Sequence, residues 1–340
     1  MSKKYNVAVV GATGAVGQSL IEILEQRNFP VDNFYPLASS RSAGETIRFN
    51  GKSCIVQDLE TFDFSQAEIG LFSAGGAISK IYAPKAAEAG CIVVDNTSEF
   101  RYHDDVPLVV PEVNEAAIAD YRNTGIIANP NCSTIQMLVA LKPIYDKFGI
   151  DTINVATYQS VSGSGKAGID ELAGQTAKLL NGLEAESKVY SQQIAFNVIP
   201  HIDVLLDNGY TKEEMKMVWE TQKIFGDDSI KVNPTAVRVP VFYGHSEAVH
   251  VVTKNDFELE EVIKLLNEAE GVTVIHDEKE MEYASAVQHS AGEDPVFVSR
   301  IRRGLDTPRS LNLWVVSDNI RKGAALNSIQ IAEKLIESFL

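Results

Sequence analysis

Cys132 lies in the stretch Asn129-Pro130-Asn131-Cys132-Ser133-Thr134-Ile135-Gln136, a setting in which a thiol can act as a nucleophile. An apolar run follows at once. Ile135, Leu138, Val139, Leu141, Ile144, Tyr145 and Phe148 are spaced as one face of a helix. Pro130 disfavours helical geometry at Asn129, so the helix starts just after the proline, with Asn131 or Ser133 as its cap. Cys132 then falls on the first turn. Unpaired backbone N–H groups and the positive end of the helix dipole favour thiolate there. The same N–H groups can hold an oxyanion made by its attack. A cysteine beside an apolar run is otherwise a small buried hydrophobe; the Asn-Pro-Asn turn sets this one apart. Pro143, inside the run, predicts a kink or a split in the helix.

Other residues could serve the same chemistry. Arg238 is predicted on a strand and His245 in the turn after it, within Gly244-His245-Ser246. A histidine there suits acid/base work near neutral pH. Glu213 and Lys216 share a face of a helix start at i, i+3. Gln159 ends a strand that runs into Ser162-Gly163-Ser164-Gly165. Arg101 follows a strand in Asp95-Asn96-Thr97-Ser98-Glu99-Phe100-Arg101, where a fixed guanidinium could grip phosphate.

These residues need elements to position them. A strand over 5–10 leads into Gly11-Ala12-Thr13-Gly14-Ala15-Val16-Gly17 and then a helix to about Arg27. Strand, glycine-rich turn and helix let a dinucleotide pyrophosphate approach the N–H groups of the helix start. The spacing is G-x-x-G-x-x-G. The second strand, 34–38, ends in Ser39-Ser40-Arg41-Ser42. An NAD site places an acid at that end for the ribose hydroxyls. Hydroxyls and Arg41 suit a 2′-phosphate instead, so the reading is NADP over NAD. Asp32 precedes that strand, at its wrong end. Further strands are expected at 47–50, 53–56, 69–72 and 91–94, with a helix over 78–89. Ser73-Ala74-Gly75-Gly76-Ala77 forms a second glycine-rich turn at the ligand-binding edge of a parallel sheet.

After the Cys132 helix the strands lengthen and alternate, at 152–161, 236–242, 248–253, 296–301 and 311–317, with helices at 168–180, 212–225 and 259–268. The expected fold is α/β. A Rossmann-type dinucleotide-binding domain (1–128, completed by the C-terminal helix 319–340) is joined to an α+β catalytic and dimerisation domain (129–318) with a mostly antiparallel sheet. The sheet's uncovered face could meet a second copy of the chain.

The chain has 340 residues, a formal net charge of -16 and 45% hydrophobic residues. That length suits two domains with separate cores. The acidic balance argues against nucleic acid or an anionic membrane as partner, so an anionic substrate needs a local cluster of Arg and Lys. No apolar run approaches a membrane span, and the first strand leaves no room for a signal peptide. Cys54, Cys91 and Cys132 are too few and too scattered for a disulfide framework or a metal site. The expectation is a reduced, cytoplasmic protein without a metal.

Taken together, the chain resembles the bacterial aspartate-semialdehyde dehydrogenases nearly end to end. The likeness rests on Gly11–Gly17, Ser98-Glu99-Phe100-Arg101, Asn129–Gln136, Gln159 with Ser162–Gly165, Glu213 with Lys216, Arg238 with His245, and Asp318-Asn319. It implies that Cys132 is the acyl-thioester nucleophile and His245 the acid/base. It further implies that Arg101 and Lys216 bind phosphate, and that Gln159, Glu213 and Arg238 hold the amino acid. Thr13, Gly14, Ala15, Val16, Arg41, Ser42, Ser162, Gly163 and Asn319 would contact NADP, beside the Gly11, Ser39 and Ser73-Ala74-Gly75 turns. The implied reaction is NADPH-dependent reduction of 4-aspartyl phosphate to aspartate semialdehyde and phosphate by a homodimer. Rival readings are a related N-acetylglutamyl-phosphate reductase, a non-catalytic NADP-binding sensor, and a cysteine hydrolase using Cys132 and His245 without redox chemistry.

Overall fold

In the computed structural model, which describes residues 3–277 and 282–340, β1 (Tyr5–Val10) is buried at all but one position. A strand with that pattern belongs in the middle of a sheet covered on both faces. It is followed by α1 (Ala15–Gln26), β2 (Val31–Ala38), β3 (Thr46–Phe49), β4 (Lys52–Ile55), β5 (Gln57–Asp58), β6 (Ile69–Phe72), α2 (Gly76–Glu88), β7 (Ile92–Asp95), α3 (Pro111–Asn114) and β8 (Ile126–Ala128). Six of these strands form one parallel sheet in the order β5-β2-β1-β6-β7-β8. Counted by their own chain order they run 3-2-1-4-5-6, the doubly wound order that binds dinucleotides where the direction of winding switches. Here the switch lies between β1 and β6.

The segments expected as strands at 47–50 and 53–56 do not join that sheet. They pair only with each other as the β3–β4 hairpin. Asn50 and Gly51, both at positive φ, supply the tight turn that closes it. The C-terminal helix Leu326–Ser338 buries Leu326, Ile329 and Ala332 in the same core as Leu20, Ile23 and Leu24 of α1. Arg27 and Glu333 form a two-pronged ion pair across these helices, at 2.7 and 2.8 Å.

This first compact unit comprises Met1–Pro130 and Ala324–Leu340; the second is Asn131–Gly323. The second unit contains α4 (Cys132–Phe148), β9 (Ile150–Gln159), α5 (Gly165–Leu180), α6 (Lys212–Phe225), β10 (Lys231–Arg238), β11 (His245–Thr253), α7 (Leu259–Glu268), β12 (Val272–Val274), β13 (His276–Asp277), β14 (Glu282–Tyr283), β15 (Val296–Arg303) and β16 (Ser310–Ser317). Its main sheet has the order β10-β9-β11-β16-β15-β12. The three central pairings are antiparallel and the pairing at each edge is parallel, so the sheet is mixed. The parallel edge pairing β10–β9 is connected through α5 and α6, as a parallel connection requires, while α7 leads into β12 at the other edge.

Several expectations shift. The helix after Cys132 is not split at Pro143: α4 runs on to Phe148, held by the buried row from Ser133 to Leu141 and by Ile144. The strand expected at 236–242 is β10, which ends at Arg238. Pro240 cannot donate to a ladder, and Gly244 turns the chain at φ 86. His245 therefore lies not in the turn but on the first residue of β11, paired with Ser317. The units divide at Pro130/Asn131 and Gly323/Ala324 instead of 128/129 and 318/319. Asn319 consequently belongs to the second unit, where its side chain bonds to Ser162 and Gly244.

Candidate active site

Asn131 caps α4: its Oδ1 accepts the Ser133 N–H at 3.1 Å, which places Cys132 on the first residue of the helix. The cap is itself braced. Glu220 Oε2 accepts the Asn131 N–H at 2.6 Å, and Asn131 Nδ2 donates to Glu213 Oε1 at 3.0 Å. Gly323 lies against the cysteine, and a Cβ built on it would be 2.6 Å from Cys132 Cβ. None of the three cysteines forms a disulfide. Burial pushes the Cys91 thiol up to about 12, so it is inert core.

A chain of buried polar groups leads on from Asn131. The Glu213 oxygen that accepts from Asn131 also accepts from Gln159 Nε2 at 3.0 Å, and that nitrogen lies 3.4 Å from His245 Nε2. Thr157 Oγ1 donates to Gln159 Oε1 at 3.0 Å and fixes which way round the amide stands. The other Glu213 oxygen meets Lys216 Nζ at 2.9 Å, and Lys216 meets Asp203 at 2.8 Å. Burial alone would raise the Glu213 carboxyl. Lys216, Gln159 and Asn131 outweigh it and hold the group down at about 2. Glu214 is spent elsewhere: it closes a capping box with Thr211 and accepts the Ala236 N–H at 2.9 Å.

His245 is fully buried. Burial first, and the Arg238 guanidinium second, push its ring down to about 3, against the opposing pull of Glu213. The ring is therefore neutral at physiological pH. Its Nδ1 accepts from the Ser160 N–H at 3.1 Å. Arg238 is buried, donates to the Ser160 carbonyl at 2.7 Å, and lies 5.9 Å from the centre of the Tyr190 ring. Its Nε has no hydrogen-bond partner among the described residues. Gly163 sits over both: a Cβ there would be 2.9 Å from Arg238 and 3.5 Å from the His245 ring. Asn319 Oδ1 accepts from Gly244 N at 3.0 Å, and its Nδ2 lies 3.0 Å from Ser162 Oγ. Cys132, Gln159, Ser162, Gly163, Glu213, Lys216, Arg238, His245 and Asn319 thus all belong to the second unit.

In the first unit, Gly11 turns the chain at φ 88 directly under the second glycine-rich turn; a Cβ on it would be 3.0 Å from Ser73 and Ala74. Gly17 faces the Gly11 carbonyl so closely that a Cβ would come within 2.1 Å. Thr13, Gly14 and Ala15 are exposed and Val16 half-buried, while Gly14, at the N-cap, offers no side chain to the N–H groups of α1. This backbone cradle at the β1/β6 switch fits a dinucleotide pyrophosphate. Ser39, Arg41 and Ser42 form an exposed to half-exposed turn past the end of β2, and Gly75 lies exposed past β6. Arg101 is buried after β7 and donates to the Asn96 carbonyl at 3.2 Å. Among the described residues no cluster of His, Cys, Asp or Glu is placed to hold a metal ion, and no helix is long and apolar enough to cross a membrane.

Comparisons with known proteins agree with this division. Residues 6–121 match the family model "Semialdehyde dehydrogenase, NAD binding domain" and residues 141–322 match "Semialdehyde dehydrogenase, dimerisation domain". A curated aspartate-semialdehyde dehydrogenase of Shewanella violacea is 68% identical over 339 residues, covering 100% of both chains. The chain belongs to the aspartate-semialdehyde dehydrogenase family. A crystal structure of aspartate semialdehyde dehydrogenase II from Vibrio cholerae, complexed with ASA, superposes with a TM-score of 0.98 at 61% identity and covers 100% of each chain. A Candida albicans aspartate semialdehyde dehydrogenase solved with NADP superposes with a TM-score of 0.78 at 26% identity, covering 98% of each chain.

For this member of the aspartate-semialdehyde dehydrogenase family, the sequence left several supporting groups unremarked. Thr157 precedes Gln159 by two residues and so shares its face of β9. Ser160 is at the wrong parity for that face and reaches His245 only because the chain leaves the strand after Gln159. Glu220 is two turns beyond Glu213 along α6, a spacing that sequence could have flagged. The contact of Gly323 with Cys132 spans nearly the whole second unit and has no local signal.

Proposed function

We propose that this chain catalyses the reductive dephosphorylation of 4-aspartyl phosphate to aspartate 4-semialdehyde through a thioester on Cys132, with NADPH as cofactor. The observation that carries the reading is the unbroken polar chain from Asn131, the cap beside Cys132, through Glu213 and Gln159 to His245. It links the cap beside a helix-start thiol to a histidine and includes a buried carboxylate, and the buried Arg238 stands beside that histidine, so that both ends of a free amino acid have a suited partner.

Cys132 attacks the acyl phosphate carbon, the C–O bond to phosphate breaks, and inorganic phosphate leaves. Bound NADPH supplies the hydride that reduces the thioester. The resulting alkoxide collapses to aldehyde as the C–S bond breaks and the thiolate returns. The N–H groups at the start of α4 hold the oxyanion. His245 is the acid/base group at the same oxygen. Arg238, with Nε unfilled, addresses the substrate carboxylate; Glu213 and Gln159 address its ammonium. Lys216 and Arg101 are assigned to phosphate. Thr13–Val16, Ser73–Gly75, Ser162, Gly163 and Asn319 are assigned to the cofactor. Its 2′-phosphate is assigned to Arg41, Ser39 and Ser42, since no acid stands between Ala38 and Gly44. The NADP bound to the Candida albicans relative supports the same preference.

The functional form is a homodimer in a reducing cytoplasm. The sheet of the second unit is covered by α4 on one face, and on the other carries Tyr158 and Trp314, ring centroids 5.5 Å apart and both accessible. A second copy is the occupant this face suits. Among the rivals, an N-acetylglutamyl-phosphate reductase acts on a blocked amine and gains nothing from an ionised Glu213. A sensor needs neither Cys132 nor His245, and a hydrolase has no use for the Gly11–Gly17 cradle. The deciding assay follows NADPH formation from aspartate semialdehyde and phosphate, with N-acetylglutamate semialdehyde as control. Turnover of the control alone would overturn the reading.

A further inference from the structure

We infer that Asp203 competes with phosphate for Lys216, so that its carboxylate keeps the phosphate subsite weak and hastens departure of that product. This rests on the assignment of Lys216 to phosphate given above and adds a residue that sets how tightly phosphate is held.

Among the described residues the Lys216 ammonium meets two carboxylates, Asp203 Oδ2 at 2.8 Å and Glu213 Oε2 at 2.9 Å. Burial opposes its charge, but Glu213 and Asp203 outweigh burial and raise its pKa above the ordinary 10.5, so it stays a cation. Glu213 is ionised, held at about 2. Asp203 also lies below its ordinary range: burial pushes it up, and Lys216 with the Val204 N–H more than offsets this. The cluster therefore carries two negative charges and one positive. That balance opposes an incoming dianion, in a chain whose formal net charge is already -16. An ammonium has three hydrogens, and two are committed here. A phosphate arriving at Lys216 meets one remaining hydrogen and two like charges close by.

The two carboxylates are not equally able to yield. Glu213 stands at i, i+3 from Lys216 on α6, its other oxygen accepts from Asn131 and Gln159, and its side chain is 6% exposed. The Asp203 side chain is 31% exposed. Its Oδ1 accepts only from its neighbour, the Val204 N–H at 2.8 Å, among the described residues. Asp203 lies on the wall of a cavity of about 230 Å³ shared with Tyr190, His201 and Arg238, so a displaced carboxylate has room to turn. The backbone stays in place. It is tied on one side by the bridge of Ile199 to Arg238 and on the other by that of Leu205 to Thr211, the cap of α6. Between these ties Asp203 holds φ 69, which aspartate and asparagine tolerate better than most side chains. Phosphate takes the place of Asp203 on the ammonium, and the returning carboxylate helps to expel it once the C–O bond has broken. Release of product is a common limit on turnover.

Asp203→Asn keeps the shape and the backbone preference and removes the charge. Inorganic phosphate is titrated by calorimetry into the intact chain, as parent, Asp203→Asn, Lys216→Ala and the double variant. Asp203→Asn should bind phosphate about three- to fivefold more tightly, the range expected for a partly exposed ion pair. The KM for phosphate in the oxidative direction should fall by a similar factor, with that for aspartate semialdehyde within about twofold. A damaged fold does not produce tighter binding, and Asp203→Ser should gain likewise. On the Lys216→Ala background the gain should vanish. Unchanged or weaker binding of phosphate by Asp203→Asn overturns the inference. So does an equal gain without Lys216, which would make Asp203 a distant charge and not a competitor. If Lys216→Ala binds phosphate as the parent does, the earlier assignment of Lys216 falls and this inference with it; if that variant binds weakly and Asp203→Asn gains nothing, the assignment stands and only the competition is wrong.

Discussion

Gly323 and Cys132 are in contact although 191 positions apart in the chain. A Cβ on Gly323 would stand 2.6 Å from Cys132 Cβ and 3.2 Å from its Cα, so the backbone of the segment before the C-terminal helix presses directly on the first residue of α4. Gly323→Ala must push one of the two away. The expected result is a folded protein, destabilised by roughly 1–3 kcal/mol as for an overpacked site, with kcat reduced more than tenfold. Thermal melting and steady-state kinetics check it; normal kcat would mean that the cysteine does not need its present place.

Cys132→Ala should abolish turnover and leave NADP binding nearly intact. The thiol is the nucleophile of the proposed reaction, while the glycine cradle and the Ser39–Ser42 turn belong to the other compact unit. Cofactor titration beside a rate assay separates the two. Appreciable residual dehydrogenase activity would remove Cys132 from the mechanism.

Cofactor preference should follow the turn after β2. Arg41→Ala combined with Ser39→Asp removes a phosphate partner and adds a ribose acceptor at exposed positions, so folding is unaffected. The ratio of kcat/KM for NADP to that for NAD should fall. A constant ratio would put the 2′-phosphate elsewhere.

Lys216 and Arg238 should fail differently. The Lys216 ammonium lies between Asp203 and Glu213, at 2.8 and 2.9 Å, and is a point charge on the first turns of α6. Arg238 offers a fork whose Nε meets no hydrogen-bond partner among the described residues. Lys216→Ala should raise the KM for phosphate in the oxidative direction more than that for aspartate semialdehyde. Arg238→Lys should damage use of the amino acid at any phosphate concentration. Each loses roughly 1.5–3 kcal/mol, or about ten- to a hundredfold. Equal effects of both changes on both substrates would dissolve the assignment.

Glu247 and Glu213 should give opposite pH signatures. Glu247, two residues after His245 on β11, is fully buried, and among the described residues neither carboxyl oxygen lies at hydrogen-bond geometry with a partner. Burial raises its pKa well above the ordinary 4.5, and the nearby Gln136 amide only partly opposes this. The folded protein therefore keeps a proton that the unfolded chain releases, and stability falls as pH rises above about 4.5. Glu247→Gln should remove that loss, giving a Tm advantage over the parent that grows from pH 5 to pH 8. Glu213, held at about 2, contributes stability above its unfolded value of 4.5 that is lost as pH falls towards 2. Glu213→Gln should flatten the acid side of the profile instead. Unchanged profiles would mean that neither carboxyl differs between folded and unfolded states.

The sequence determined the local features by itself. Gly11 and Gly17 are dictated by a turn and a close approach that admit no side chain. The cap at Asn131 and the apolar row behind it set α4 and put Cys132 at its start. The i, i+3 spacing foretold the Glu213–Lys216 pair. These are short-range relations, governed by a few dihedrals and by helix and strand periods. Tertiary structure decided what periods cannot express. Glu214 is as close in sequence as Glu213, but only folding against β10 takes it to the Ala236 N–H and leaves Glu213 to the polar chain. The hairpin at 46–55 has strand periodicity, yet the parallel sheet does not use it. His245 is neutral because burial removes water from it, and its ring meets the N–H of Ser160, 85 residues earlier. Desolvation and hydrogen-bond direction depend on every element packed around a group, which is why the residue types were legible in the chain and their protonation and orientation were not.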